Sequence, residues 1–89
     1  MSKMNVTGKL LKNNKIISME TAVNEDASLN MTRQLEACLL EICKNLNIPI
    51  PIWMKKNTKE FVRFKKTIFT SEQFMEKVNF DSFVIEMDH

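Results

Sequence analysis

Between residues 4 and 23, "MNVTGKLLKNNKIISMETAV", apolar and polar positions alternate on either side of Asn13 and Asn14. A period of two marks strands, and Asn tolerates the positive φ values that a two-residue hairpin turn requires. Pairing across that turn sets Leu10 opposite Ile17, Gly8 opposite Met19, Val6 opposite Thr21 and Met4 opposite Val23, an almost wholly apolar side. The other side pairs Leu11 with Ile16, Lys9 with Ser18 and Thr7 with Glu20, and suits water. A slip of one residue would scramble the division, so the pattern predicts this register.

The period then changes. After the acidic turn "NEDASLN", Met31, Leu35, Cys38, Leu39, Ile42 and Leu46 fall within about 100° on a helical wheel, which predicts a helix over 31–46. Ser28 or Asn30 can cap it. Leu40 lies on the opposite, solvated side with Arg33 and Lys44. In "NIPIPIW", Pro49 and Pro51 lack amide donors and end the helix, leaving Trp53 to anchor the crossing to the core.

Asn57 followed by Glu60 resembles the start of a second helix. On a helix, Phe61, Phe64 and Ile68 share one face, and Lys56, Lys59, Arg63 and Lys66 gather within about 80° on another. A strand would put Phe61 with Arg63 and Phe64 with Lys66, so the helix separates charge from oil better. "TSEQFMEKVNF" suggests a short third helix, capped by Thr70 or Ser71 with Phe74, Met75 and Val78 inward. "DSFVIEMDH" alternates Phe83, Ile85 and Met87 against Val84 and Glu86, as a strand would. The expected fold is a single α+β domain over residues 1–89, of order ββαααβ: a three-stranded antiparallel sheet, made of the N-terminal hairpin and the C-terminal strand, packed by two to three helices.

Composition narrows the function. With 89 residues, 44% of them apolar, there is room for one modest core. The net charge of +2 is too small to imply a polyanion partner, but its distribution is uneven. Residues 55–66 hold six Lys or Arg against one Glu. Cys38 and Cys43 are about 140° apart on their helix and cannot bond to each other there, which suggests a reducing compartment. No apolar run approaches the ~20 residues of a membrane span, and the N-terminus lacks the apolar stretch of a signal peptide. These features together suggest a soluble, cytoplasmic protein.

Chemistry is sparse. Cys38, Cys43 and His89 are too few and wrongly spaced for zinc, and a Ser or Cys nucleophile would have only the terminal histidine as base. Cys38 reads as core filling and Cys43 as flank. One glycine excludes a glycine-rich phosphate loop. The carboxylates Glu36, Glu41, Glu60, Glu72 and Glu76 read as solvated faces. We therefore expect no enzyme, metal or cofactor, and a small interaction or regulatory protein with a protein partner.

The candidate contact residues are Lys56, Lys59, Arg63 and Lys66, with Lys55 and Lys65 beside them. The alternative use of this basic face is nucleic-acid binding through phosphates. Phe61 and Phe64, placed on the oily side, would then offer bases no stacking platform, and a membrane surface would find no free apolar face to enter. Leu11 and Ile16, beside Lys9, Lys12 and Lys15, form an apolar spot that would suit a homodimer seam. With "IPIPIWMKKNTKEFVRFKKTIF" and "FMEKVNFDSFVIE" in view, the chain resembles short proteins of Gram-positive anaerobes from about Gly8 to Glu86. That resemblance implies no activity and no functional residue. By size alone it is also similar to phage-encoded inhibitors of host proteins.

Overall fold

The computed structural model describes residues 3–88; His89 lies outside them. The fold is α+β, with an antiparallel sheet and helices on one face. The elements are β1 (Met4–Lys12), β2 (Lys15–Asn24), α1 (Met31–Leu46), α2 (Lys55–Phe64), β3 (Lys66–Thr70) and β4 (Ser82–Asp88). Among the described residues the sheet has four strands, in the order β2-β1-β4-β3, rather than three, and the α-helices are two.

The hairpin turns at Asn13 and Asn14, with φ of 53° and 65°, the left-handed pair that a two-residue turn demands. Leu11 pairs with Ile16 as expected, but a bulge between Leu10 and Leu11 shifts the remainder, so that Leu10 meets Ser18, Gly8 meets Glu20 and Val6 meets Ala22. One extra residue on β2 exchanges its faces. Ala22 is buried and Ile17, Met19 and Val23 are exposed, the reverse of the sequence expectation. Packing explains the exchange: α1 crosses β1 and β2 on their inner face, where Gly8 and Ala22 are the small residues that let a helix come close.

At Gly8 the fit is tightest. A Cβ there would lie 2.6 Å from Cγ2 of Ile42 and 2.9 Å from Cε1 of Phe83, and both of those side chains are fully buried. Asn30 caps α1 by accepting from the Arg33 amide at 2.9 Å. Asn47 ends the helix with φ of 57°, and the Ile48 amide reaches back to the Cys43 carbonyl at 3.0 Å. That turn folds Ile48 against the core and covers Cys43, which is buried rather than flanking.

In the second half the chain departs further from expectation. α2 begins at Lys55, before Asn57, and stops at Phe64 because Lys65 takes the left-handed conformation, φ 58°, and donates its amide to the Phe61 carbonyl at 2.8 Å. Residues 66–70 then form β3 on the free edge of β4, with Thr67 and Phe69 inward and Ile68 outward. Phe69 stacks on Phe83 at 5.8 Å between centroids and meets the edge of Trp53 at 5.5 Å, so Trp53 does anchor the crossing. The expected third helix is a single 3-10 turn, Ser71–Gln73. Phe74 is buried and Val78 half-buried, whereas Met75 is almost wholly exposed. β4 lies beside β1 as expected, with Phe83 and Ile85 completely buried and Met87 packed against the core.

Gly8→Ala is expected to cost about 1–3 kcal/mol by overpacking. It should appear in chemical denaturation as a lower midpoint with an unchanged slope. An unchanged midpoint would show that α1 does not need this close approach.

Candidate functional site

α2 rests on the sheet by a narrow contact. Only Asn57 and Phe61 of its ten residues are buried. The Asn57 amide makes all four hydrogen bonds open to it: Oδ1 accepts from the Met54 amide at 2.9 Å and from Gln73 Nε2 at 2.9 Å, and Nδ2 donates to Thr67 Oγ1 at 2.7 Å and to the Ile68 carbonyl at 3.2 Å. Gln73 Nε2 also donates to the Ile52 carbonyl, and its Oε1 accepts from the Thr70 amide. Thr67 in turn donates to Glu60 Oε1 at 2.6 Å. These bonds tie α2, β3, the 3-10 turn and the segment before α2 to one another.

Glu60 is half-buried against β3, and the remaining residues of α2 are exposed. Lys55, Lys56, Lys59 and Arg63 span about 100° of the helix and all are exposed. Of the four expected members of the basic face, Lys56, Lys59 and Arg63 are therefore together and Lys66 is not. Lys65 is the helix cap, and Lys66 starts β3 on the helix-free face of the sheet, paired with Glu86 in register. Among the described residues, the ion pairs are Lys3–Glu25 and Arg33–Glu36, and neither involves these six cations.

Two apolar features border the basic face, and the sequence reading missed both. On one side is a groove of about 440 Å³ between α1 and α2. Leu35, Leu39 and Leu40 line it from α1, Ile50 and Trp53 from the connecting segment, and Val62 from α2. Val62 is 71% exposed and Leu40 45%. The Trp53 indole donates to Thr58 Oγ1 at 2.7 Å, which fixes its ring in the groove wall. On the other side Phe64, expected to be core, is 61% exposed, with the Arg63 guanidinium 5.4 Å from its ring centre. It borders a smaller hollow of about 180 Å³ with Glu60, Lys66, Thr67 and Ile68. The signal for the groove was present in Leu40 and Val62, which stand among polar neighbours on their own helices.

The comparisons supply no relative. No protein-family model, curated protein or solved structure matches the chain. The functional reading therefore stands on this geometry.

Reactive groups offer little. Burial pushes the Cys43 thiol up to about 11 and raises that of Cys38, where Glu41 adds to the effect, so both stay protonated. Among the described residues, no three His, Cys, Asp or Glu side chains gather closely enough to hold a metal. No helix is long and apolar enough to cross a membrane.

The hydrogen bond from Thr67 holds the Glu60 carboxyl below its usual range, with help from the Ile68 amide and nearby Lys56. A pKa lower in the folded chain than in the unfolded one means stabilisation that is complete at neutral pH and lost as pH falls from the ordinary glutamate value through the folded one. Glu60→Gln should therefore be less stable than the native chain at neutral pH, and the gap in melting temperature should close under acid. A gap independent of pH would show that the charge of Glu60 has no part in holding β3 to α2.

Proposed function

We propose that this chain is a non-enzymatic interaction module that docks a protein segment in the groove between α1 and α2. One observation carries the reading: an open apolar groove is lined from α2 by Val62, and the same helix exposes four cations, none of them in an ion pair among the described residues. Apolar side chains exposed in a contiguous concave patch are the usual mark of a binding surface, and this volume suits a few apolar anchors. A concave apolar surface walled by two helices favours an amphipathic helix or short extended segment. On the α1 lip Glu36 is paired with Arg33 at 3.4 Å, so the uncompensated charge is that of Lys55, Lys59 and Arg63 on the α2 lip. That arrangement favours a partner with acidic residues flanking its apolar anchors, with the charges setting approach and orientation more than affinity. A regulatory protein of a cell and a phage-type inhibitor of a host protein would use such a surface alike.

A second reading, single-stranded nucleic acid, is favoured by the exposed ring of Phe64 beside Arg63, Lys65 and Lys66. Bases stack on such rings while phosphates meet the cations. It leaves the groove without a role, so it ranks second.

Selection from a displayed random-peptide library, run beside labelled single-stranded DNA and RNA at two salt concentrations, separates the two. The first reading expects enriched peptides with apolar residues next to Asp or Glu. Leu40→Glu should weaken them by about tenfold or more, equivalent to about 1.4 kcal/mol, and the Lys59→Glu, Arg63→Glu double variant should slow their association. Steeply salt-dependent oligonucleotide binding that is lost in Phe64→Ala and retained in Leu40→Glu would replace it with the second reading. Neither binding would overturn both.

A further inference from the structure

The strand order leaves β2 at one edge of the sheet, far from α2, which packs on β3 at the opposite edge. An edge strand presents a row of unpaired main-chain donors and acceptors, and proteins usually blunt it with proline, with charges or with short length. β3 is blunted: it has five residues and begins with a lysine at the end of the basic helix. β2 has ten residues, no proline and no charge between Lys15 and Glu20. Its side chains are also unusual for a free edge, since Ile16, Ile17, Met19 and Val23 are each about half exposed. Its guards among the described residues are Lys15 at its first position, the bulge beside Leu10 and the glutamate on its inner face.

The charges at its two ends are opposite. Lys12 and Lys15 flank the hairpin turn, and Glu25 and Asp26 follow the last residue of the strand. Hydrogen bonds from Ser28 hold the Asp26 carboxyl low, so it is ionised at neutral pH, and Glu25 has Lys3 at 3.9 Å as an exposed neighbour. A parallel neighbour of the same sequence would bring like charges together. An antiparallel one brings the basic end of each copy to the acidic end of the other, twice. A two-fold axis perpendicular to the sheet requires one residue to face its own copy. With Met19 at that position, Ser18 stands opposite Glu20 of the second copy and Lys15 opposite Val23, and the two exposed Met19 side chains meet on the helix-free face.

We infer that the occupant of this edge is a second copy of the chain, paired antiparallel through β2 into a continuous eight-stranded sheet. The same axis puts both helical layers on one side, so the dimer displays two grooves on a common face and suits a partner with two docking segments. A single strand pair lies at the small end of specific interfaces, so the dimer is a reversible one.

Sedimentation velocity across a dilution series tests this with the native chain, Met19→Lys, Thr21→Lys and, as a groove control, Leu40→Lys, each checked for folding by circular dichroism. The expected result is a monomer–dimer equilibrium in the native chain and in Leu40→Lys. High salt should weaken it, and either β2 lysine should raise its dissociation constant by about tenfold or more, which is about 1.4 kcal/mol. The two β2 positions point to the helix-free face, so at least one variant is expected to retain the native spectrum. A monomer at every concentration overturns the inference. So does a dimer that Leu40→Lys abolishes and the β2 variants keep, or association that runs past the dimer into open-ended species.

Discussion

The buried amide of Asn57 is the contact on which the second half of the molecule depends. α2 contributes a single ring to the core, that of Phe61, and would otherwise lie loosely over the sheet. Asn57 replaces the missing apolar contact with four hydrogen bonds, reaching the start of its own helix, β3 and the 3-10 turn at once. A polar group in that position stabilises only while every partner is present, because a buried donor or acceptor left alone costs about 1–3 kcal/mol. No buried side-chain nitrogen or oxygen among the described residues lacks a partner, so the requirement is met. The amide fixes where α2 sits, and also which of its faces cannot be buried.

The surface follows from that shallow docking set against the deep docking of α1. Gly8 and Ala22 let α1 approach β1 and β2 closely, whereas α2 stands on Asn57 and Phe61 over β3. The wedge between them is floored by Trp53 and Phe61, which meet edge to face at 6.3 Å. Val62 and Leu40 are left exposed on its lips. The basic residues that stand out in the sequence thus share α2 with Val62 of the groove, on the faces of the helix that the sheet leaves uncovered. No residue of β2 lines the groove, so one can be occupied without closing the other.

Where the reading of the sequence succeeded, the interaction was local. Asn13–Asn14 supplies left-handed conformations whatever surrounds it, the apolar stripe of 31–46 needs only a 3.6-residue period and a cap at Asn30, and the alternation of Phe83 and Ile85 is a strand in any context with one covered face. Where it failed, two local solutions were close in energy and a distant contact chose between them. The "FVRFKKTIF" pattern suits a helix throughout, but the empty edge of β4 and the face of Phe83 reward a strand from Lys66, so Lys65 accepts a left-handed conformation at some cost. Residues 70–80 hold a helix signal, but Phe74 becomes extended after one turn, with φ −108° and ψ 135°, and its ring packs on Phe80 and Phe83. The hairpin register was half legible, since the bulge that turns Ile17 and Met19 outward is set by α1 above Ala22.

By itself, then, the sequence determined the α+β class, the hairpin turn, the long helix with its cap, the closing strand and the concentration of positive charge near residue 60. Each depends on residues a few positions apart. Tertiary structure alone decided the fourth strand, the burial of Cys43, the exposure of Phe64 and Val62, the separation of Lys66 from the other cations, and the groove. Those outcomes depend on which surfaces meet, and one-dimensional periodicity carries no information about a partner many residues away.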